Sequence, residues 1–411
     1  MLLSKPGPPA LRQKSEKVEI RVARSLCEVE ALREPWTAWP GHRDSDIDFY
    51  LMKLQSDPEV VRPHVIALYQ NGKPDAILVG RLERKRLCFK RIGYLPPLRF
   101  WARCLTFVYG AMHGNASAEN ARILLQEVMN CLRQDEADVA MLELVPIDSP
   151  LYRLALKLPG VLSRDTLPEP QGHETMIVPD TVDEIYGCMS SHRKHELRRI
   201  ARKLQSNPVG EPKIVYYRDT TELDHLFHDA EEIAKKTYQR GLGVGFADSA
   251  RIRKRLELAA LKGWLRAYLL YLGDRPCAFW IGMLYGETFV SDYTGYDPDL
   301  HQFSPGIALL MRMIERFCNR ADGDVIRELD FGPGDAEYKA ALCTRKWLEA
   351  AVYIFSPTSR GLALKSMRTA TRIVDAFARK VLISTKLFPW VRRAWRGRLA
   401  KHAEKIPPPR N

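Results

Sequence analysis

Two short segments carry the residues best suited to chemistry. The first runs Tyr296-Asp297-Pro298-Asp299-Leu300-His301-Gln302-Phe303-Ser304-Pro305-Gly306. Ser304 suits a helix N-cap, Pro305 suits the first helical position, where its missing N–H costs nothing, and Gly306 leaves the backbone open to a ligand. Free N–H groups and the positive end of a helix dipole at a strand–loop–helix junction bind anions, and a pyrophosphate fits such a place. An ordinary capped helix also explains this segment taken alone. The second segment is Asp330-Phe331-Gly332-Pro333-Gly334, followed by Tyr338-Lys339. Its glycines at a strand end permit dihedrals closed to other residues and leave room beside the main chain. Tyr338 and Lys339 lie one turn into the next helix, pointing back to the strand ends, the edge where open α/β sheets bind ligands.

The elements that position these residues recur within the chain. Leu142-Glu-Leu-Val-Pro146-Ile-Asp148 matches Leu329-Asp-Phe-Gly-Pro333-Gly-Asp335 at an offset of 187 residues, and Ser117 and Ser304, which open the preceding helices, share that offset. Tyr152-Arg153 answers Tyr338-Lys339, and the turn Tyr69-Gln-Asn-Gly-Lys-Pro74 answers Tyr271-Leu-Gly-Asp-Arg-Pro276. In the second half, apolar runs at Leu265–Leu272, Cys277–Leu284 and Thr288–Tyr296 predict antiparallel strands. A helix over Ser304–Arg320, a strand over Val325–Phe331 and a short helix over Asp335–Leu342 follow. In the first half the corresponding strands are His64–Tyr69, Ala76–Leu82, Leu87–Ile92 and Val139–Val145, with a helix over Ser117–Gln134. Fold class is therefore α/β (α+β): two tandem units with mixed, mostly antiparallel sheets flanked by helices. The first copy has Val145 and Ile147 opposite Gly332 and Gly334, so the working site is expected in the second.

Ser191-His-Arg193-Lys194-His-Glu-Leu-Arg198-Arg199 opens an amphipathic helix with six cations against Glu196. A solvated face is the usual fate of such a run. Taken with Tyr296-Asp297-Pro298, Phe303-Ser304-Pro305-Gly306 and Asp330-Phe-Gly-x-Gly with Tyr338-Lys339, it resembles the CelD/BcsL-type acetyltransferases, a GNAT branch related to the Fem peptidyltransferases. The motif-bearing likeness covers residues 175–355. It implies acetyl-CoA or another acyl-CoA between two splayed strands, Thr288–Tyr296 and Val325–Phe331, with pantetheine paired to the first, the diphosphate near Ser304, Pro305 and Gly306, and Gly332 and Gly334 also among the cofactor-binding residues. Tyr338 would protonate the departing thiolate, Asp330 or Asp297 would take the acceptor's proton, and Lys339 would hold phosphate or an oxyanion. Tyr338 as a half-buried packing residue stands equally open. Arg193, Lys194 and Arg198, with Tyr296 and Asp297, would meet an anionic acceptor, a small molecule or saccharide of cell-envelope or exopolysaccharide type. The rivals are a Fem-like aminoacyl transferase using aminoacyl-tRNA and a non-catalytic scaffold of the same fold.

The remaining features set boundaries. Arg240-Gly-Leu-Gly243-Val-Gly245 fits a diphosphate-loop pattern, but it follows a helix rather than the central strand, so a loop over the acceptor site is the better expectation. Eight scattered cysteines show no metal-like spacing, so no metal is expected and a reducing compartment is. Of the net charge of +13, residues Pro357–Asn411 carry fourteen Lys/Arg against only Asp375 and Glu404. Basicity therefore belongs to the tail, and a nucleic-acid-binding fold is not indicated. The tail's interleaved Trp390, Trp395 and Phe377 suit an anionic membrane surface, with its own core and nucleic acid as the other options. No apolar run approaches the ~18 residues that span a bilayer. The expected plan is a disordered 1–17, a degenerate unit at 18–170, an acyltransferase unit at 171–356 and a basic helical tail at 357–411. The protein is expected in the cytoplasm, peripheral at the inner membrane surface.

Overall fold

The computed structural model describes residues 17–88, 99–187, 189–237, 240, 245–334 and 336–384. Chain order in the first half is β1 (Val18–Ala23), α1 (Leu26–Glu30), α2 (Arg33–Ala38), α3 (Ile47–Ser56), β2 (Val60–Gln70), β3 (Lys73–Cys88), β4 (Arg99–Gly114), α4 (Ala118–Arg133), β5 (Val139–Pro146), α5 (Pro150–Lys157) and β6 (Gln171–Ile177). Two helices, α6 (Val182–Gly187) and α7 (Ser191–Gln205), lead into the second half. There β7 (Pro212–Tyr217), α8 (Leu223–Ala234), α9 (Ala250–Leu261), β8 (Leu265–Leu272), β9 (Arg275–Tyr285), β10 (Thr288–Tyr296), α10 (Pro305–Cys318), β11 (Glu328–Pro333), α11 (Glu337–Leu342) and β12 (Arg345–Phe355) repeat the same order. The helix α12 (Ser359–Ser384) follows.

Local sequence accounts for these elements. Asn71 and Gly72, at φ 52° and 80°, make the tight turn joining β2 to β3, a conformation these two residue types tolerate best. Ser117 caps α4 by accepting from the Asn120 N–H, and Ala121, Leu124, Leu125, Val128, Cys131 and Leu132 form its buried stripe. One expected strand is displaced. Leu87 and Cys88 end β3 and Ile92 lies outside the described residues, while the third long strand is Arg99–Gly114. Arg99, Arg103 and Gly110 interrupt that run's apolar pattern and hid it from a reading by periodicity. β11 begins at Glu328 rather than Val325.

All twelve strands join one sheet, in the order β1-β2-β3-β4-β5-β12-β6-β11-β10-β9-β8-β7. Among the described residues only β4–β5 and β10–β11 pair parallel. The order is symmetric about the β12–β6 seam, because each half ends its sheet with the other half's last strand. Thus β12 pairs with β5, and β6 pairs with β11. The halves also share a helical interface: Phe49 of α3 is buried in the core formed by α8, α9 and β8–β9, including Leu226, Phe227 and Phe279. Asp46 accepts from the Tyr285 hydroxyl at 3.0 Å, and Arg43 pairs with Asp292 at 2.8 Å.

In each half a parallel pair holds for a few residues and then parts. β10 and β11 pair from Thr288–Glu328 to Val290–Asp330, where β10 bulges between Ser291 and Tyr293. β4 and β5 pair from Cys104–Val139 to Phe107–Leu142. This aligns Leu142 with Asp330 and Leu144 with Gly332, one residue away from the alignment of Leu142 with Leu329. The equivalence of the two halves therefore follows the backbone pairing and differs by one residue from the match of residue types.

Candidate active site

The gap between β10 and β11 opens beside the N-terminus of α10. Ser304 occupies the N-cap position there, at φ 50° and ψ 49°, and its side chain makes no capping hydrogen bond. The expected side-chain cap is therefore absent. A left-handed residue ahead of proline is uncommon, and such strain concentrates at functional sites. Pro305 begins the helix without an N–H, and a Cβ on Gly306 would lie 3.3 Å from the Tyr296 ring. Gly332 and Gly334 have φ 68° and 100°, and a Cβ on either would meet nothing within 4 Å. Both the dihedrals and the space expected of them are present.

Tyr338 reaches over this gap from α11. Its ring meets Trp280 of β9 edge-on at 5.7 Å and Phe331 of β11 at 6.0 Å. Trp280 is buried, and its indole N–H has no hydrogen-bond partner among the described residues. Lys339 is turned inward: its ammonium donates to the carbonyls of Gly332 and Pro333 at 3.1 and 3.2 Å. In this arrangement it braces the glycine strand end.

Asp330 also has a setting that the sequence did not announce. His173 on β6 stands between two carboxylates, with Nε2 2.7 Å from Asp330 and Nδ1 3.1 Å from Glu349 of β12. Trp347 stacks on one face of the imidazole at 4.3 Å and Tyr109 of β4 on the other at 5.9 Å. Burial opposes a charge on His173, but the two hydrogen bonds and carboxylate charges overcome it and raise its pKa to about 9. The ring is an imidazolium at neutral pH. For Asp330 burial acts upward, but His173 and the Gly332 N–H, at 2.6 Å, hold its pKa below the usual carboxylate value. A carboxylate so committed is a weak proton acceptor. His42 of the first half approaches the other Asp330 oxygen at 4.0 Å, and burial lowers its pKa. Sequence reading missed His173, Trp347, Glu349, Tyr109 and His42. They come from four separate stretches of chain and meet only through strand exchange.

The expected acceptor contacts divide. Asp297 is fully buried: it caps the turn Pro298–Phe303 through the Asp299 N–H and pairs with Lys236 at 2.8 Å and Arg275 at 2.5 Å. That is a structural post, which removes it as a base or a substrate contact. Tyr296 is 46% exposed at the end of β10, beside Gly306. Arg193 and Lys194 are half-buried on α7, where Arg193 pairs with Glu196 at 2.7 Å, and Arg198 is exposed. Arg240 pairs with buried Glu231 and donates to the Phe246 carbonyl, while residues 241–244 of the diphosphate-like pattern lie outside the described residues.

Two units of strands and helices in GNAT order, each parting its parallel pair, joined in one mixed sheet flanked by helices, define the fold class. The particular likeness is narrower: residues 190–340 match the family model described as an acetyltransferase (GNAT) domain. The crystal structure of FemX shares the fold at TM-score 0.53 with 11% identity, over 80% of this chain and 96% of that one. A tandem GNAT protein from the clavulanic acid biosynthesis pathway aligns at TM-score 0.45 with 10% identity, over 84% of this chain and 100% of the other. The L-PGS of Bacillus licheniformis aligns at TM-score 0.45 with 13% identity, over 85% and 96%. Among curated proteins no sequence matches this chain.

Proposed function

We propose that the chain is an acyl-CoA-dependent acyltransferase of CelD/BcsL type whose working unit is 171–356, counting with it β6, the last strand of the first half that pairs with β11, and with 18–170 as its companion. The observation that carries this is the parting of β10 from β11 after Val290 and Asp330, beside an α10 N-terminus that its N-cap side chain does not close. A pantetheine arm has room along the freed edge of β10, and the helix start at Ser304, Pro305 and Gly306 offers the Gly306 N–H and a helix dipole to the diphosphate, Pro305 having no N–H and that of Ser304 donating to the His301 carbonyl. Gly332 and Gly334 leave space for the thioester.

In the transfer an acceptor amine or hydroxyl attacks the thioester carbonyl carbon. The N–C or O–C bond forms, the C–S bond breaks, and the proton lost by the acceptor returns to the thiolate. Tyr338 is the proposed proton donor to sulfur. Asp330 is a positioning residue: through His173 and the Gly332 N–H it holds the strand end in its open form. The acceptor's proton then leaves through water or the acceptor's own surroundings. The proposed acceptor is a small-molecule or saccharide precursor of the cell envelope, reached from the cytoplasm at the inner membrane surface. The basic tail favours a second reading, an aminoacyl-tRNA donor.

Calorimetry with acetyl-CoA separates these readings. Wild-type protein should bind it, and Gly306→Val and Gly332→Val should lose affinity while circular dichroism shows the fold retained. No binding by wild type, with binding of aminoacyl-tRNA, would replace the first reading by the second. Unchanged affinity in both folded variants would move the donor site elsewhere.

A further inference from the structure

A chamber of about 240 Å³ lies between the halves, lined by Asp44, Arg81 and Glu143 of the first and Arg251, Arg255 and Tyr293 of the second. Beside it, where β4 parts from β5, lies an apolar arm of about 180 Å³ walled by Ala111, Met112 and Leu151. Val108 and Glu143 line both cavities and so stand at the junction. Nearly every charge on the chamber wall is already matched. Arg81 pairs with Glu83 at 2.6 Å, Arg255 with Asp292 at 2.5 Å, and Asp44 with Arg43 at 2.8 Å. Glu143 differs: among the described residues it has no hydrogen bond or ion pair. Burial pushes its pKa up, against the pull of Arg81 and Lys85.

The arm is not a second acyl-CoA site. Ser117 closes the α4 N-terminus with its own side chain, and Leu144, not glycine, takes the positive φ of 44° at the strand parting. What remains is a slot for an apolar group that ends at a lone carboxyl facing a polar chamber shared with β10 of the working unit.

We propose that this chamber holds the acceptor, and that the acceptor is an amphipathic primary amine whose ammonium pairs with Glu143 and whose apolar substituent fills the arm. This rests on the acyltransferase reading for the word acceptor, but the binding claim stands apart from it. An ammonium supplies the direct ion pair that this half-buried carboxylate lacks among the described residues, beyond the longer-range pull of Arg81 and Lys85.

The test is titration of the full-length protein with hexylamine, ethylamine, hexanol and hexanoate, each alone. Hexylamine should bind more tightly than ethylamine and than either hexyl analogue. Glu143→Gln, which preserves shape, should weaken hexylamine about tenfold or more and leave hexanol unchanged. Equal binding of amine and alcohol, or an unaffected Glu143→Gln, overturns the assignment of the amine. Equal binding of ethylamine and hexylamine overturns the arm. Acetyl-CoA titrated on the same samples distinguishes the two readings. If acetyl-CoA binds and hexylamine does not, only this inference fails. If hexylamine binds and acetyl-CoA does not, the acyltransferase reading fails and the amine site stands.

Discussion

Asp330 and Glu349 share one imidazolium, and that sharing makes two residue-scale expectations. The first concerns pH. The ordinary imidazole pKa is about 6.5. A folded-state pKa raised to about 9 gives His173 a stabilising contribution that is complete below about 6.5 and lost as pH rises through about 9. Asp330 runs the other way: its lowered pKa stabilises above about 3.9 and is lost as pH falls through the lowered value. The groups facing the ring are Asp330, Glu349, Tyr109 and His42. His173→Gln should therefore be less stable than wild type near pH 6, and the gap in melting temperature should narrow as pH passes 9. A gap independent of pH would mean that the ring is neutral. The second concerns Tyr338. General-acid assistance is worth about 10²–10⁴ in rate. Tyr338→Phe keeps the edge contacts with Trp280 and Phe331, so turnover should fall by about that factor with acyl-CoA affinity nearly constant. Normal turnover would leave the tyrosine a packing role.

At the scale of elements, the start of α10 combines a residue in the left-handed region with an uncapped helix. A non-glycine residue pays about 1 kcal/mol or more for that conformation. Because the Ser304 side chain forms no cap, Ser304→Gly loses nothing and should raise unfolding free energy by about 1 kcal/mol, measured by chemical denaturation. A loss instead would show that its hydroxyl has a contact worth keeping. Helix α3 presents the complementary case. Phe49 is 7% exposed, and the guanidinium groups of Arg43 and Arg255 lie 5.6 and 5.0 Å from its ring centre. Phe49→Ala should cost about 3–5 kcal/mol and loosen both halves together.

At the scale of the whole molecule, the exchanged strands make the two halves one cooperative object. Since β12 lies between β5 and β6, a chain ending at Thr344 should lose amide protection in β5 as well as in β6 and β11. Protection retained across the whole first half would show that β5 tolerates an open edge. The basic tail divides in two at this scale. Its first part is α12, which packs on the protein: Leu364 is buried, and Arg368 pairs with Asp165 at 2.8 Å and lies over the Tyr353 ring. Ile373 and Phe377, 57% and 68% exposed, face away from that contact. Residues 385–411, with eight Lys/Arg, lie outside the described residues. Among the described residues no helix is long and apolar enough to cross a membrane. If the tail binds anionic lipid at about 1 kcal/mol per cation, ending the chain at Ser384 should sharply reduce pelleting with phosphatidylglycerol vesicles at low salt. Equal pelleting would remove the tail from that role.

The repeat, the mixed fold and the positions of Gly306, Gly332, Gly334 and Tyr338 were legible because they are local. Turn residues, caps and periodicity act over a few residues, and their signatures lie side by side in the chain. The third strand of the first half was not legible, because charged residues and a glycine interrupt its apolar run. Asp297 reads as chemistry but is buried against Lys236 and Arg275, because partners distant in sequence decide which charges are committed. Ser304 sits at the expected position, but its dihedrals are set by the loop that delivers it. Least visible of all was the seam. Pairing of β12 with β5 and of β6 with β11 joins residues as distant in sequence as Val139 and Phe355, a choice that no local signal in the chain announces. His173 meets Asp330 and Glu349 only because of that choice. The chain alone determined which residue types are suited to chemistry, and the tertiary structure decided which of them, like Asp297, are committed to other partners.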